Sequence, residues 1–104
     1  MFAFLKSLFA STPAPDLSEV LSKKPVLVDV RTPGEFAQAH PKGAVNIPLD
    51  RIGSNLDKFK GKKDIVVFCR SGNRSSQAKS ILKSNGFENV VDAGPWENVA
   101  QFTG

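Results

Sequence analysis

The chain of 104 residues has one cysteine, Cys69, which closes the apolar run Asp64-Ile-Val-Val-Phe-Cys69 and is followed at once by Arg70-Ser-Gly-Asn-Arg-Ser75. A strand that stops at a thiol and turns directly into a helix sets that thiol beside the positive, N–H-bearing end of the helix. Ser71, Gly72 and Asn73 are small or flexible enough for the backbone to curl with successive amides pointing inward, an arrangement that cradles anions. Arg70 and Arg74 add two formal charges to the same loop. All of this favours the thiolate: a free cysteine titrates near roughly 8.5, and helix N-termini with cationic neighbours lower that by one to several units. A lone cysteine can instead be a small core hydrophobe. Two arginines and a glycine beside a strand-to-helix junction tip the reading to chemistry, with Cys69 as catalytic nucleophile and Arg70, Ser71, Gly72, Asn73, Arg74 and Ser75 holding a small anionic substrate.

The elements that must position this loop follow from the rest of the chain. Asp16 and Glu19 have N-cap spacing and open a short helix through Val20 and Leu21, which Lys23-Lys24-Pro25 stops. Val26-Leu-Val-Asp-Val30 is a β-branched run of the kind found in strands covered on both faces. Thr32 as cap, Pro33 at the first helical position and Glu35 as the reciprocal acid predict a helix carrying Phe36 immediately afterwards. Gly43 to Pro48 reads as a short strand, and Leu49 to Phe59 as a weak helix or turn with Leu49, Ile52, Leu56 and Phe59 at helical spacing. A helix over Ser75 to Asn85, closed by Gly86, a last strand over Asn89 to Asp92 and a terminal helical turn with Trp96, Val99 and Phe102 complete the pattern. Strands alternating with helices predict an α/β fold, a small central parallel sheet with helices on both faces. Ligands of such sheets bind beyond the carboxyl ends of the strands, where Cys69 stands.

Composition narrows the function classes. Hydrophobic residues make up 40% and charged residues 23%, which suits one globular domain. The net charge of +4 comes with lysines that are scattered apart from the pairs Lys23-Lys24 and Lys62-Lys63, so we expect a solvated basic surface and no nucleic-acid partner. One cysteine excludes an intramolecular disulfide and a cysteine-cluster metal site. No apolar run approaches the ~20 residues of a membrane span. Residues 1–12 form an apolar segment interrupted by Lys6, consistent with a short docking helix, a frayed end or an export signal, ahead of a single domain over 13–104. A monomer in the cytoplasm is expected, with the periplasm as alternative if residues 1–12 belong to an export signal.

Cys69-Arg-Ser-Gly-Asn-Arg-Ser75 resembles the active-site loop of single-domain rhodaneses, the thiosulfate sulfurtransferase-like family. Asp29-Val-Arg-Thr-Pro-Gly-Glu-Phe36, His40 and Gly43-Ala-Val-Asn-Ile-Pro48 resemble that family's amino-terminal signature in order and spacing. The resemblance spans about Asp16 to Phe102. It departs at Pro41, where Ile or Leu is usual, and at Gly94-Pro95, where a Gly-Gly pair is common. The resemblance implies a sulfurtransferase in which Cys69 takes sulfur from thiosulfate or a persulfide donor and passes it to cyanide in vitro or to a thiol or protein cysteine in the cell. Asp29, Arg31, Glu35 and His40 read as structural support, Asp29 and Arg31 fixing the loops around the helix cap by hydrogen bonding and ion pairing, and the two-step mechanism implies neither metal nor organic cofactor.

Two other classes use similar parts. A cysteine phosphatase or arsenate reductase needs five residues between cysteine and arginine to enclose a tetrahedral oxyanion; here four separate Cys69 from Arg74, and the smaller ring suits sulfur. A non-turnover sulfur carrier or binding module is the second alternative, although many such modules lack the cysteine that this chain keeps. A dyad of His40 with an acid is the weaker reading of those residues, since a lone histidine is more often a satisfied structural group.

Overall fold

The computed structural model describes residues 16–61 and 64–103, so the expectations for residues 1–12 lie outside the described residues. Asp16 caps helix α1 (Leu17–Ser22), its carboxylate accepting from the Ser18 and Glu19 amides. Strand β1 (Val26–Asp29) leads within four residues into helix α2 (Pro33–Gln38). The predicted capping box is present: Thr32 Oγ1 accepts from the Glu35 amide at 3.2 Å, and Glu35 Oε1 accepts from the Thr32 amide at 3.0 Å. Pro33 adds the fixed φ that the first helical position requires. Next come a two-residue strand β2 (Val45–Asn46), strand β3 (Ile65–Cys69), helix α3 (Asn73–Ser84), strand β4 (Val90–Pro95) and helix α4 (Glu97–Thr103).

The four strands form one parallel sheet in the order β2-β1-β3-β4. All five β3 residues are buried, and their side chains alternate between two cores. Ile65, Val67 and Cys69 pack with Ala78 and Leu82 of α3 and with Ile52 and Phe59. Val66 and Phe68 pack with Val99 of α4 and with Leu17, Val20 and Leu21 of α1. Helices therefore cover both faces, as the apolar β-branched runs predict, and each fully buried aliphatic or Phe side chain contributes about 1.5–3 kcal/mol relative to exposure. The chain leaves β1 for the edge strand β2 and then crosses back to β3, so the carboxyl ends of β1 and β3 part in opposite directions. That switch point is where ligands of parallel sheets bind.

Two elements differ from expectation, each for a local reason. Leu49 to Phe59 forms two 3₁₀ turns, Leu49–Arg51 and Leu56–Phe59, rather than one helix. Ser54 Oγ and Asn55 Nδ2 both donate to the Arg51 carbonyl, at 3.2 and 2.8 Å, taking the acceptor a continuing helix would use. The four apolar side chains still point inward, with Ile52 and Phe59 fully buried. Strand β4 runs on to Pro95 through a bulge, because Val67 faces Asp92 while Phe68 faces Gly94, leaving Ala93 as the extra residue. Gly94 at φ +75 permits the bend, and its amide donates to Asp92 Oδ1 at 2.9 Å. The bulge carries β4 alongside the end of β3, where Pro95 pairs with Cys69 and the Trp96 amide donates to the Cys69 carbonyl at 2.7 Å.

Candidate active site

Cys69 ends β3 with no solvent-accessible surface, and the chain arcs over its sulfur before entering α3. Sγ accepts from the Gly72 amide at 2.9 Å and from the Ser75 amide at 3.4 Å. The Ser75 hydroxyl lies 3.5 Å from Sγ and donates to the Gly72 carbonyl at 3.1 Å. Gly72 has φ +105, a conformation that side-chain-bearing residues rarely adopt, and this turns its N–H inward. Burial pushes the Cys69 thiol up, but hydrogen bonds from the Ser75 hydroxyl and from the Ser75, Gly72 and Ser71 amides outweigh it, and the pKa falls below the ordinary value. With the thiol protonated, Ser75 Oγ accepts from S–H; over a thiolate the same hydroxyl can turn and donate. The arrangement stabilises a negative charge on sulfur by neutral dipoles, without a formal charge in contact.

The arginines of the loop play unequal parts. Arg74 Nη1 and Nη2 meet the two oxygens of Glu35 at 2.8 and 3.0 Å, a bidentate pair that ties the first turn of α3 to the first turn of α2. Arg70 is exposed and makes no hydrogen bond or ion pair among the described residues. Of the remaining loop residues, Ser71 and Asn73 are exposed; the Ser71 amide serves the sulfur, and the Asn73 carboxamide accepts from Gln77 at 3.4 Å.

Hydrogen bonds from Arg74 above all, then from the Thr32 amide, hold the Glu35 carboxyl down from its ordinary 4.5 to about 2. A carboxyl whose folded pKa is depressed stabilises the fold above its unfolded pKa and loses that contribution as the pH falls through the folded one. Unfolding midpoints of the wild type are therefore expected to drop more steeply than those of Glu35→Gln between pH 4.5 and about 2, in melts across that range. At pH 7 the pair, with side chains 32% and 28% exposed, is worth only about 1 kcal/mol, and the two proteins should converge at the acid end.

Asp29 ends β1, and Arg31 lies in the turn between β1 and α2. Asp29 is fully buried and Arg31 nearly so. Arg31 Nε donates to Asp29 Oδ1 at 2.8 Å, Arg31 Nη2 donates to Asp29 Oδ2 at 2.5 Å and to the Ala39 carbonyl at 2.7 Å, and the Arg31 amide donates to Asp29 Oδ1 at 3.1 Å. The guanidinium also covers the Trp96 ring, 5.0 Å from its centroid. His40 lies elsewhere: it is exposed, bonded through Nδ1 to the Phe36 carbonyl at 2.7 Å and stacked on the Phe36 ring at 3.7 Å. The structure thus brings Cys69, the loop amides, Ser75 and Glu35 together through Arg74, and leaves His40 to hold its own helix end.

Trp96, read from the sequence as core or pocket rim, packs against the Val66, Phe68 and Val99 core and lines a cavity beside the loop. Residue-type reasoning gives no separate role to Asn46, which matters to the frame. Asn46 Nδ2 donates to the Asp29 and Arg31 carbonyls at 2.9 and 3.0 Å, fastening β2 to the end of β1. A polar residue within the expected short strand Gly43–Pro48 was the available signal. Two cavities flank the loop. One of about 490 Å³ lies between Leu49, Pro48, Ile81 and Arg74, and one of about 260 Å³ lies between Arg70, Trp96, Gln38 and Glu97. Among the described residues no group of His, Cys, Asp and Glu is placed to hold a metal ion, and no helix is long and apolar enough to cross a membrane.

A parallel α/β sheet that delivers a cysteine to an amide-lined loop at its switch point defines a class of protein, the rhodanese-like fold. The rhodanese-like domain family matches residues 13–94, and the chain belongs to that family. It is 39% identical over 75 residues to thiosulfate sulfurtransferase PspE of Escherichia coli, covering 70% of this chain and 72% of that protein. A sulfurtransferase of Allochromatium vinosum is 37% identical over 67 residues, covering 64% of this chain and 63% of that one. Among solved structures, the human single-domain sulfurtransferase TSTD1 superposes with a TM-score of 0.62 at 30% identity, over 92% of this chain and 88% of the other.

Proposed function

We propose that Cys69 is the nucleophile and sulfur carrier of this rhodanese-type sulfurtransferase. The observation that carries the reading is the sulfur itself, held by the Gly72 and Ser75 amides at the mouth of α3 with its pKa lowered. In the first half-reaction the Cys69 thiolate attacks the outer sulfur of thiosulfate. A sulfur–sulfur bond to Cys69 forms, the bond inside thiosulfate breaks, and its electron pair leaves with sulfite. The Arg70 guanidinium, exposed and without an ion pair among the described residues, is available to the departing anion, while Arg74, paired with Glu35, keeps the loop amides in place. The persulfide left on Cys69 is anionic, so the amides that favour the thiolate also favour it. In the second half-reaction a thiolate or cyanide attacks the outer sulfur, and the electron pair of the broken bond returns to Cys69. Both steps balance without a redox partner or a cofactor.

The test is intact mass. Protein incubated with thiosulfate and desalted should gain about 32 Da, one sulfur atom, and should lose it to cyanide with release of thiocyanate. With one cysteine in the chain, a cyanide-labile gain reports Cys69. No gain, from thiosulfate or from a low-molecular-weight persulfide, would overturn the reading.

A further inference from the structure

The sulfur loop leans on a piece of backbone outside it. Gly72, whose amide donates to Sγ at 2.9 Å, stands against Gly94 of the β4 bulge: a Cβ built on Gly72 would lie 3.6 Å from the Gly94 Cα. The side of Gly72 where a side chain would stand therefore faces the bulge directly. The same stretch also meets the start of the arc, because Pro95 pairs with Cys69 and the Trp96 amide donates to the Cys69 carbonyl at 2.7 Å. Ala93, the extra residue of the bulge, has no partner on β3, so strand pairing does not fix it. Two side chains do. Asp92 Oδ1 accepts from the Gly94 amide at 2.9 Å, and Asn98 Nδ2, from the first turn of α4, donates to the Ala93 carbonyl at 2.9 Å.

We infer that Asp92 and Asn98 are positioning residues for sulfur transfer: by fixing the bulge they hold Gly72 in place and set how closely its N–H approaches Sγ. The inference rests on the reading that Cys69 carries the sulfur. Neither side chain hydrogen-bonds to the sulfur, and neither moves a proton. A hydrogen bond weakens steeply as its distance and angle degrade. With the bulge slack the Gly72 amide retreats, and the thiolate loses part of what stabilises it.

The experiment follows the Cys69 thiolate by its ultraviolet absorbance through a pH titration of wild type, Asp92→Ala, Asp92→Asn and Asn98→Ala. One cysteine and no tyrosine in the chain make the signal specific. The other charges on the elements around the sulfur, Asp29 and Arg31 at the end of β1, Glu35 of α2, Arg70 and Arg74 of the loop and Glu97 of α4, are the same in all four proteins. Both alanine variants should titrate about half a unit to one unit higher than wild type. Asp92→Asn keeps the acceptor for Gly94 and should stay close to wild type. The sign separates this from a charge effect, since deleting a carboxylate near a thiol lowers its midpoint, and Asp92→Asn deletes the same charge. Below the midpoint, sulfur loading from thiosulfate should slow about three- to tenfold in the alanine variants, with the gap closing at alkaline pH. A merely structural role would lower the melting temperature and leave the titration unmoved. Equal midpoints in all four proteins, with normal loading of the wild type, would overturn the positioning role and leave the Cys69 reading intact. A wild type that never gains sulfur would overturn both.

Discussion

Cys69→Ser is expected to lose thiosulfate:cyanide turnover by about ten-thousand-fold or more, the scale seen when a covalent nucleophile is removed, while the protein stays folded. The serine hydroxyl is close in size to the thiol, and its oxygen accepts from the same Gly72 and Ser75 amides that now hold Sγ at 2.9 and 3.4 Å. A hydroxyl with those partners is satisfied, so the melting midpoint should move by only a few degrees, about 1 kcal/mol or less. The separation of the two readouts gives the variant its force. A steady-state assay alongside a thermal melt checks it, and more than one per cent of wild-type turnover in a folded serine variant would remove Cys69 from the chemistry.

The largest effect on stability is expected from Asp29→Ala. Arg31 is 4% exposed, and its guanidinium is compensated chiefly by the Asp29 carboxylate. Removing one partner of a buried ion pair costs about 3–5 kcal/mol, because the remaining charge stays out of water uncompensated. Domains of this size are stable by about 5–15 kcal/mol in all, so the variant should unfold at much lower urea or temperature. If Asp29→Ala does not fold, Asp29→Asn serves: it keeps an acceptor for the Arg31 amide and should fall between alanine and wild type. A loss below about 1 kcal/mol in the alanine variant would mean that Arg31 finds water or another acceptor on relaxation.

What the sequence displays and what it hides follow from range. The capping box at Thr32 and Glu35, the buried strand Ile65–Cys69 and the abrupt strand-to-helix junction after it depend on neighbours a few residues away, and each is present. Arg74 shows the limit. From the loop alone it is a second cation for the substrate, but Glu35, 39 residues earlier, occupies its guanidinium on both sides. The side chains of a capping box point outward, so nothing local signals that the same Glu serves a distant partner. The bulge at Ala93 is hidden for a similar reason: only pairing with β3 shows that Asp92 and Gly94 face adjacent residues of that strand. The Gly94-Pro95 departure from the family pattern falls at this bulge, where Gly94 takes a positive φ. Pro41, the other departure, is fully buried, and its carbonyl accepts from the Ala44 amide at 3.2 Å. Both substitutions are absorbed by the frame and leave the sulfur loop as the local sequence implies.

The sulfur lies wholly under its loop, which separates two properties that usually travel together in a cysteine, acidity and availability. The arc that supplies the acidifying amides is the same arc that covers the sulfur, so in the closed loop the thiol is acidified and screened together. The observed rate is then the intrinsic rate multiplied by the fraction of molecules open, and every ~1.4 kcal/mol of opening free energy slows a reagent that cannot lift the arc tenfold. A ligand that holds the arc open offsets that factor, and a peroxide or alkylating agent that merely diffuses by does not. Closure therefore works as a kinetic filter in time, guarding a thiolate that has no second cysteine to rescue it from overoxidation.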